Sequence, residues 1–287
     1  MSQSLADSLP GKGGSGLRVW LKSSAYTRRL LLGEGGDPWL GAAQFLAWFS
    51  QAQGLLRPDV AVVEVGELFD AWLARHPELR AELGAKRRLS YPLRRLLELE
   101  GPRQLLAEVV EAVIANLRGQ TPLVLAMPSP KHWLLHANQL AGRSDVELDP
   151  DGIEDAAMYM ADLLRSVSAS PVGGVLLEEH PDDAQLGDTD LERYRPLINV
   201  AHHYRWSLAL RPRSSGVLES PVLGEFDAVL SRDVTAAPPV STGVDVSLPL
   251  WASEALPALA PGQFYFAEVP AHQRPEFVLE SLARLRA

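Results

Sequence analysis

A short apolar run in the middle of the chain leads directly into three ionisable residues. Residues 172–177 are followed by Glu178, Glu179 and His180. At the carboxyl end of a strand in a parallel α/β barrel, such side chains lie on the catalytic face, where a carboxylate serves as acid, base or cation ligand. Because side chains alternate along a strand, only one of the two glutamates faces the barrel mouth, and the sequence leaves open which one. An acidic, solvated loop is the equally weighted alternative.

Arginines follow two later apolar runs. Arg211 and Arg213 follow the run 206–210, and Arg232 follows the run 226–230. Guanidinium groups pair bidentately with carboxylates and phosphates, so these side chains are candidates for holding an anionic substrate at one rim of the fold. The alternative is that they are surface residues paired with the acidic excess of the chain.

Further polar residues near the ends of apolar runs complete the expected substrate-binding set: Lys22, Lys131, His132 and Glu268. His136 lies one helical turn after His132, a spacing that suits two ligands of one metal ion. Two histidines on an ordinary helix face are more common than such a site. A metal enzyme that uses these histidines with Glu178 or His180 is therefore the lowest-ranked hypothesis, and we predict no metal site.

The composition limits the partners and cofactors. The 287 residues carry a formal net charge of −9 and include no cysteine. An acidic chain lacks the basic face that binds a nucleic-acid backbone, and without cysteine there is no disulfide, thiolate nucleophile or cysteine-ligated metal. The glycine-rich segment 11–16 precedes a β-type run instead of following one, so it does not fit a dinucleotide-binding loop. We expect a small anionic ligand, no nucleic acid and no cofactor.

Short β-type runs that alternate with longer amphipathic patterns must position these residues. The β-type runs are predicted at residues 17–21, 60–65, 122–127, 172–177, 206–210, 226–230, 244–248 and 264–269. This alternation is typical of a parallel sheet covered by helices, and the number of runs predicts an α/β fold of the (β/α)8 TIM-barrel type. The turn-rich span 234–243 is predicted to be a loop.

The chain is predicted to hold a single barrel domain at residues 17–287, after a polar leader at 1–16 that we expect to be disordered. The region 68–99 departs from the alternation because its pattern is helical throughout. We predict an inserted helical hairpin there, of the kind that overhangs the active face of barrels.

The sequence shows no targeting or membrane pattern. The first residues lack the basic start and apolar core of a secretion signal, and no apolar run approaches the roughly 20 residues that cross a bilayer. These features predict a cytoplasmic protein without a membrane partner.

Two segments carry a family resemblance: Glu178-Glu179-His180-Pro181 and the later stretch 261–270, PGQFYFAEVP. Over residues 122–287 the order of elements resembles the barrel superfamily that contains cobalamin-independent methionine synthase and uroporphyrinogen decarboxylase. In the synthases one strand ends in Asp-Glu-Pro, the next in a His-x-Cys zinc pair and the next in a zinc-binding Glu. Here Ala209-Leu210-Arg211 and Arg232 stand at the last two places, so the resemblance implies the fold and the position of the pocket without the zinc.

These observations lead to two function hypotheses of different classes. The first is a metal-independent barrel enzyme that acts on a small anionic or carboxylated substrate, as a decarboxylase or a group-transfer enzyme. In it the arginines hold the anion while Glu178 or His180 handles a proton. The alternative is a catalytically inactive barrel that serves as a binding or assembly partner, forming a homo-oligomer or a complex through the insertion at 68–99.

Overall fold

The computed structural model describes residues 4–10, 16–180, 186–212, 220–232 and 240–286. Within these ranges the chain forms eight parallel strands: β1 (Val19–Lys22), β2 (Ala61–Glu64), β3 (Leu123–Pro128), β4 (Gly174–Glu178), β5 (Ser207–Arg211), β6 (Ala228–Ser231), β7 (Ser241–Asp245) and β8 (Gln263–Glu268). The hydrogen-bonded order is β1-β8-β7-β6-β5-β4-β3-β2. Only the β1–β2 ladder is missing from the described part of the sheet, so the strands form a nearly closed barrel. The predicted (β/α)8 fold is confirmed.

Helices cover the outside of the barrel. In the described ranges these are α1 (Ser24–Leu32), α2 (Ala42–Leu56), α3 (Val65–Arg75), α4 (Glu78–Leu83), α5 (Tyr91–Leu97), α6 (Glu100–Leu117), α7 (Pro130–Leu140), α8 (Pro150–Arg165), α9 (Asp188–Glu192), α10 (Arg195–Tyr204), α11 (Ser247–Trp251) and α12 (Pro275–Arg286). Short 3₁₀ turns lie at Pro38–Leu40 and Pro221–Glu225. None of the described helices combines the length and the apolar character needed to span a membrane.

Alternation along the strands divides the core into two layers. Interior side chains form one apolar cluster, to which the strands contribute Trp20, Val62, Ala126, Leu176, Ala209, Leu230 and Phe266. Side chains of the opposite parity, such as Val63, Leu125 and Leu177, belong to the larger cluster beneath the helices. On each strand, the residue two positions after the interior residue also faces into the barrel. These residues together form the candidate functional site.

The seventh strand begins earlier than its hydrophobic pattern indicates. Its predicted range, 244–248, is wrong, because residues 247–251 form α11 and the strand starts at Ser241. The predicted loop at 234–243 is accordingly wrong at its end, whereas residues 233–239 lie outside the described ranges. The first half of β7 is Ser-Thr-Gly, and such small residues carry no hydrophobic signal even though they are buried.

The region 68–99 is helical, as the pattern predicts. It contains most of α3 together with α4 and α5. Helix α4 packs against α7, and α5 packs against both α7 and α8. Their buried leucines join the outer core: Leu83, Leu93, Leu96 and Leu97. The insertion is therefore part of the helical layer, held by apolar burial.

Residues 4–10 of the expected leader lie across the amino-terminal end of the barrel. Leu5 and Leu9 are fully buried in the interior cluster. The Leu5 N–H donates to the Gly173 carbonyl at 3.2 Å, and Ser241 Oγ donates to the Pro10 carbonyl at 2.6 Å. This segment closes the barrel at the end opposite to the carboxyl termini of the strands. Residues 11–15, most of the glycine-rich segment, lie outside the described ranges.

Candidate functional site

A layer of mostly ionisable side chains covers the apolar interior at the carboxyl ends of the strands. We call this layer the mouth ring; its members are Lys22, Glu64, Pro128, Glu178, Arg211, Arg232, Asp245 and Glu268. Each is the last residue of its strand, except Arg232, which follows β6 by one position. Among the predicted site residues, the ring brings together Lys22, Glu178, Arg211, Arg232 and Glu268. Arg213 lies outside the described residues.

Lys22 is one of two buried cations in the mouth ring. Its ammonium group contacts Glu178 and lies 3.3 Å from Glu64 Oε2 and 3.9 Å from Glu268 Oε1. Burial alone lowers the pKa of Lys22, but the charges of these carboxylates outweigh it and raise the pKa above its ordinary value. Lys22 is therefore a permanent cation and not a neutral amine available as a nucleophile.

Arg211 is the second buried cation, with a side chain that is 1% exposed. Nη1 donates to Glu178 Oε1 at 2.9 Å and to Glu268 Oε2 at 2.7 Å, and Nη2 donates to Asp245 Oδ2 at 2.9 Å. The guanidinium carbon also lies 4.4 Å from the centroid of the Phe266 ring, a cation–π contact. Arg211 therefore orders the carboxylates around it, and its positive charge is already neutralised within the protein.

Two ionisable members of the ring, Glu64 and Asp245, are missing from the sequence-based prediction. Burial raises the pKa of Glu64 to about 7, because the nearby Lys22 charge offsets only part of that effect. Asp245 accepts hydrogen bonds from the N–H and the Oγ of Ser247 at 3.1 and 2.5 Å. Both residues end strands, so the rule that identifies Glu178 also finds them once the strand bounds are correct.

Hydrogen bonds join the carboxyl ends of β7 and β8 and fix Glu268. Ser247 Oγ accepts from the Glu268 N–H at 2.9 Å, and Trp251 Nε1 donates to the Glu268 carbonyl at 2.7 Å. The Glu268 carboxylate accepts from Arg211, yet its side chain is 33% exposed. Glu268 is thus the ring carboxylate that is both ordered and open to solvent.

A cavity of about 370 Å³ opens beside Glu268. Its lining combines Arg211, Arg232, Ser247 and Glu268 with Ala25, Leu248, Trp251, Val269, Pro270 and Ala271. Arg232 is exposed, and its side chain forms no ion pair with the described carboxylates. We call this space the mouth cavity. It sets a solvent-accessible guanidinium and an ordered carboxylate in one concave site.

Glu178 and Glu179 face opposite ways, as strand alternation requires. Glu178 lies in the mouth ring, whereas Glu179 is buried away from it and accepts a hydrogen bond from Tyr194 Oη at 2.6 Å. Burial and the charge of Glu179 raise the pKa of Tyr194 well above its ordinary value, so the phenol stays protonated as the donor. Glu178 is therefore the glutamate that faces the barrel mouth.

The remaining predicted residues form a separate group beside the ends of β3 and β4. The ring of His132 stacks on His180 at 4.9 Å and on His136 at 6.2 Å between centroids. Lys131 Nζ donates to Asp190 Oδ2 at 2.8 Å. In the described part of the chain, no group of three or more histidine, aspartate or glutamate side chains is arranged to hold a metal ion.

A second and larger cavity adjoins the mouth cavity. It measures about 780 Å³ and lies between α1, the loop 33–37 and α3. The two cavities share Ala25 and Ala271 in their walls. Its charged residues are largely paired with one another: Arg28 with Glu67, Arg29 with Glu34 and Arg75 with Asp37. The carboxyl-end face of the barrel therefore holds two neighbouring cavities. The mouth cavity contains the solvent-exposed Arg232, and the larger cavity has a nearly neutral lining.

The fold and this site define the class of protein: an α/β barrel with a charged ring and cavities at the carboxyl ends of its strands. No family model matches the chain. No curated protein matches it by sequence either.

Proposed function

We propose that this chain is a metal-independent barrel enzyme that acts on a small carboxylated or otherwise anionic substrate in the mouth cavity. The observation that carries the proposal is Arg232, which lines the same cavity as Glu268 and makes no ion pair with the described carboxylates. A guanidinium in this setting pairs readily with a substrate carboxylate or phosphate. Barrel enzymes carry their chemistry on this face.

Arg211 has a different role in the proposal from the one its sequence position predicts. Three carboxylates already engage its guanidinium. It therefore acts as a positioning residue that holds Glu178 and Glu268, while Arg232 supplies the contact to the anion. Arg213, the third predicted arginine, remains a candidate contact. Lys131, His132 and His180 remain candidates for a ligand that extends over the ends of β3 and β4.

Glu268 is the proposed proton acceptor. Hydrogen bonds from Arg211 favour the ionised carboxylate, and an ionised carboxylate beside a bound substrate takes a proton from a hydroxyl, an amine or an acidic C–H group. Such a base suits group transfer, because it activates the attacking group. Decarboxylation needs a proton donor instead. We therefore favour group transfer, and the adjoining cavity of about 780 Å³ offers space for a second substrate.

The proposed relationship is to the superfamily of cobalamin-independent methionine synthase and uroporphyrinogen decarboxylase, in a zinc-free form. Support comes from the barrel itself and from the position of Glu178 at the end of β4, and the absence of cysteine accounts for the zinc-free form. We propose a cytoplasmic location on the same cysteine-free composition. The superfamily's zinc chemistry has no part in the proposal, since the thiolate ligand is lacking.

The experiment is an activity screen with matched variants. The purified chain is incubated with pairs of small carboxylic acids and nucleophiles, and products are followed by NMR. With any substrate found, Glu268→Gln should lower kcat by roughly 10²- to 10⁴-fold, because a general base contributes that much, and Arg232→Gln should raise KM. Glu111→Gln and Arg80→Gln are exposed controls. The proposal fails if both mouth variants behave like their controls.

The second candidate function, a binding or assembly partner, has one observation in its favour. Lys86 and Arg87 are exposed on the insertion, although its leucines are buried. Removing the insertion would unfold the outer core, so charge reversal is the better test. If the double variant Lys86→Glu/Arg87→Glu dissociates an oligomer or complex that light scattering detects for the wild type, the insertion is an interface. An unchanged mass rejects it.

A further inference from the structure

The lining of the mouth cavity combines apolar and polar residues. Leu248 and Trp251 of α11, together with Val269, Pro270 and Ala25, form the apolar part of the lining, which we call the apolar wall. Arg211, Arg232, Glu268 and Ser247 form the polar part. The cavity therefore offers the two kinds of contact that a single amphiphilic ligand makes.

Leu248 is unusually open for a large apolar residue, with 62% of its surface exposed. A single exposed leucine on a protein surface needs no explanation. Here, however, the leucine lines a cavity that also holds an exposed cation, and both stand where one ligand can touch them. Covering Leu248 with an apolar group removes that surface from water.

Trp251 is held in place as a wall of the cavity. Its Nε1 donates to the Glu268 carbonyl at 2.7 Å, and its ring lies 6.2 Å from that of Phe277 between centroids. The indole is therefore preorganised, and a ligand that packs against it loses little side-chain entropy of the protein. The same hydrogen bond ties the apolar wall to the residue that carries the proposed base.

We propose that the substrate of the mouth cavity is a carboxylic acid with an apolar aryl or alkyl body. Arg232 holds the carboxylate, and Leu248 and Trp251 cover the body. This inference rests on the proposed function, since it uses the same cation. A volume of about 370 Å³ lies near the small end of the range for ligand sites, which suits a compact acid.

The test is a series of acids measured by calorimetry or ligand-observed NMR: acetate, butyrate, hexanoate, phenylacetate and 3-phenylpropionate, with benzyl alcohol as the neutral counterpart. We expect the affinity to rise along the series, by roughly tenfold from acetate to 3-phenylpropionate, because about 1.4 kcal/mol of apolar burial corresponds to that factor. Benzyl alcohol should bind more weakly than phenylacetate.

Three variants test the apolar contact and the anion contact separately. Leu248→Ser should flatten the dependence of affinity on apolar size, and Arg232→Gln should weaken every acid. Leu279→Ser is the matched control, since Leu279 is 58% exposed on α12 and does not line the cavity. Leu248 and Leu279 are both exposed, so thermal melting should show folded variants.

The outcomes distinguish this inference from the proposed function. If all acids bind equally and Arg232→Gln weakens them all, the anion site stands and the apolar substrate class is rejected. If Arg232→Gln changes nothing, the proposed anion site itself is rejected. If Leu248→Ser and Leu279→Ser reduce the size dependence alike, the assigned apolar wall is rejected.

Discussion

Lys22 Nζ lies 3.3 Å from Glu64 Oε2, and this contact joins β1 to β2 at the one place where the described barrel lacks a backbone ladder. A side-chain ion pair thus bridges the opening between the two edge strands. The same ammonium group reaches Glu178 on β4 and Glu268 on β8. Lys22 therefore couples closure of the barrel to the order of the site.

The pH dependence of folding should report the titration of Glu64. Burial raises the pKa of Glu64 from 4.5 to about 7, so the folded chain binds this proton more tightly than the unfolded chain does. The contribution to stability is fully present below pH 4.5 and is lost as the pH rises through about 7. Glu64→Gln, which stays neutral, should remove this loss. Between pH 5 and 8 the wild type should lose up to about 3 kcal/mol relative to the variant.

The measurement is urea unfolding of both proteins at several pH values. Comparison of the two cancels the titration of other groups that the substitution leaves unaffected. If the wild type instead gains stability over the variant as the pH rises, Glu64 is stabilised in its ionised form and the assigned direction is wrong.

Replacing the buried arginine should cost far more stability than replacing the exposed one. Arg211→Met leaves Glu178, Asp245 and Glu268 without their shared partner, and loss of one member of a buried ion network typically costs about 3–5 kcal/mol. Arg232→Met removes an exposed cation and should change the free energy of unfolding by less than about 0.5 kcal/mol. Denaturant unfolding of the pair checks this, and equal effects would contradict the assigned burial of charge.

Much of the architecture can be predicted from clear hydrophobic patterns in the sequence. The run before Glu178 and the run before Arg211 are continuous, apolar and bounded by turns, as buried parallel strands are. Interior parity then follows by counting in twos from Leu176 or Ala209. That counting reaches Glu178 and excludes Glu179, although the sequence alone does not say which parity faces inward.

The site is harder to predict because it depends on where strands end and on which side chains meet across the barrel. Glu64 was hidden inside a predicted strand that runs one residue too far, and Asp245 inside one that starts too late. The pairing of Arg211 with three carboxylates, from β4, β7 and β8, is a long-range property. No local sequence pattern predicts this pairing, and the pairing leaves Arg232 as the more accessible cation.

Gly243 should resist substitution because the barrel interior is filled around it. A Cβ at this position would lie 2.4 Å from Leu230 Cδ2 and 2.8 Å from Phe264 Cε2. Gly243→Ala should therefore destabilise the chain by about 1–3 kcal/mol through overpacking. Gly54→Ala is the matched control: Gly54 lies in α2 with open space around the new Cβ, and the change should stabilise by about 0.5–1 kcal/mol. If thermal unfolding shows both variants to be stabilised, the close packing of β7 is refuted.

His136 should titrate above its ordinary range because of Asp70. Its Nε2 lies 2.8 Å from Asp70 Oδ1, and this hydrogen bond raises the pKa of the imidazole above 6.5 against the opposing effect of burial. The pair should therefore stabilise the fold fully below pH 6.5 and lose this contribution as the pH rises through the folded pKa. Asp70 is half exposed, so solvent screening keeps the gain below about 1 kcal/mol. NMR titration of the His136 ring should show the pKa falling in Asp70→Asn; an unchanged His136 pKa would show that the Asp70 carboxylate does not stabilise the protonated ring.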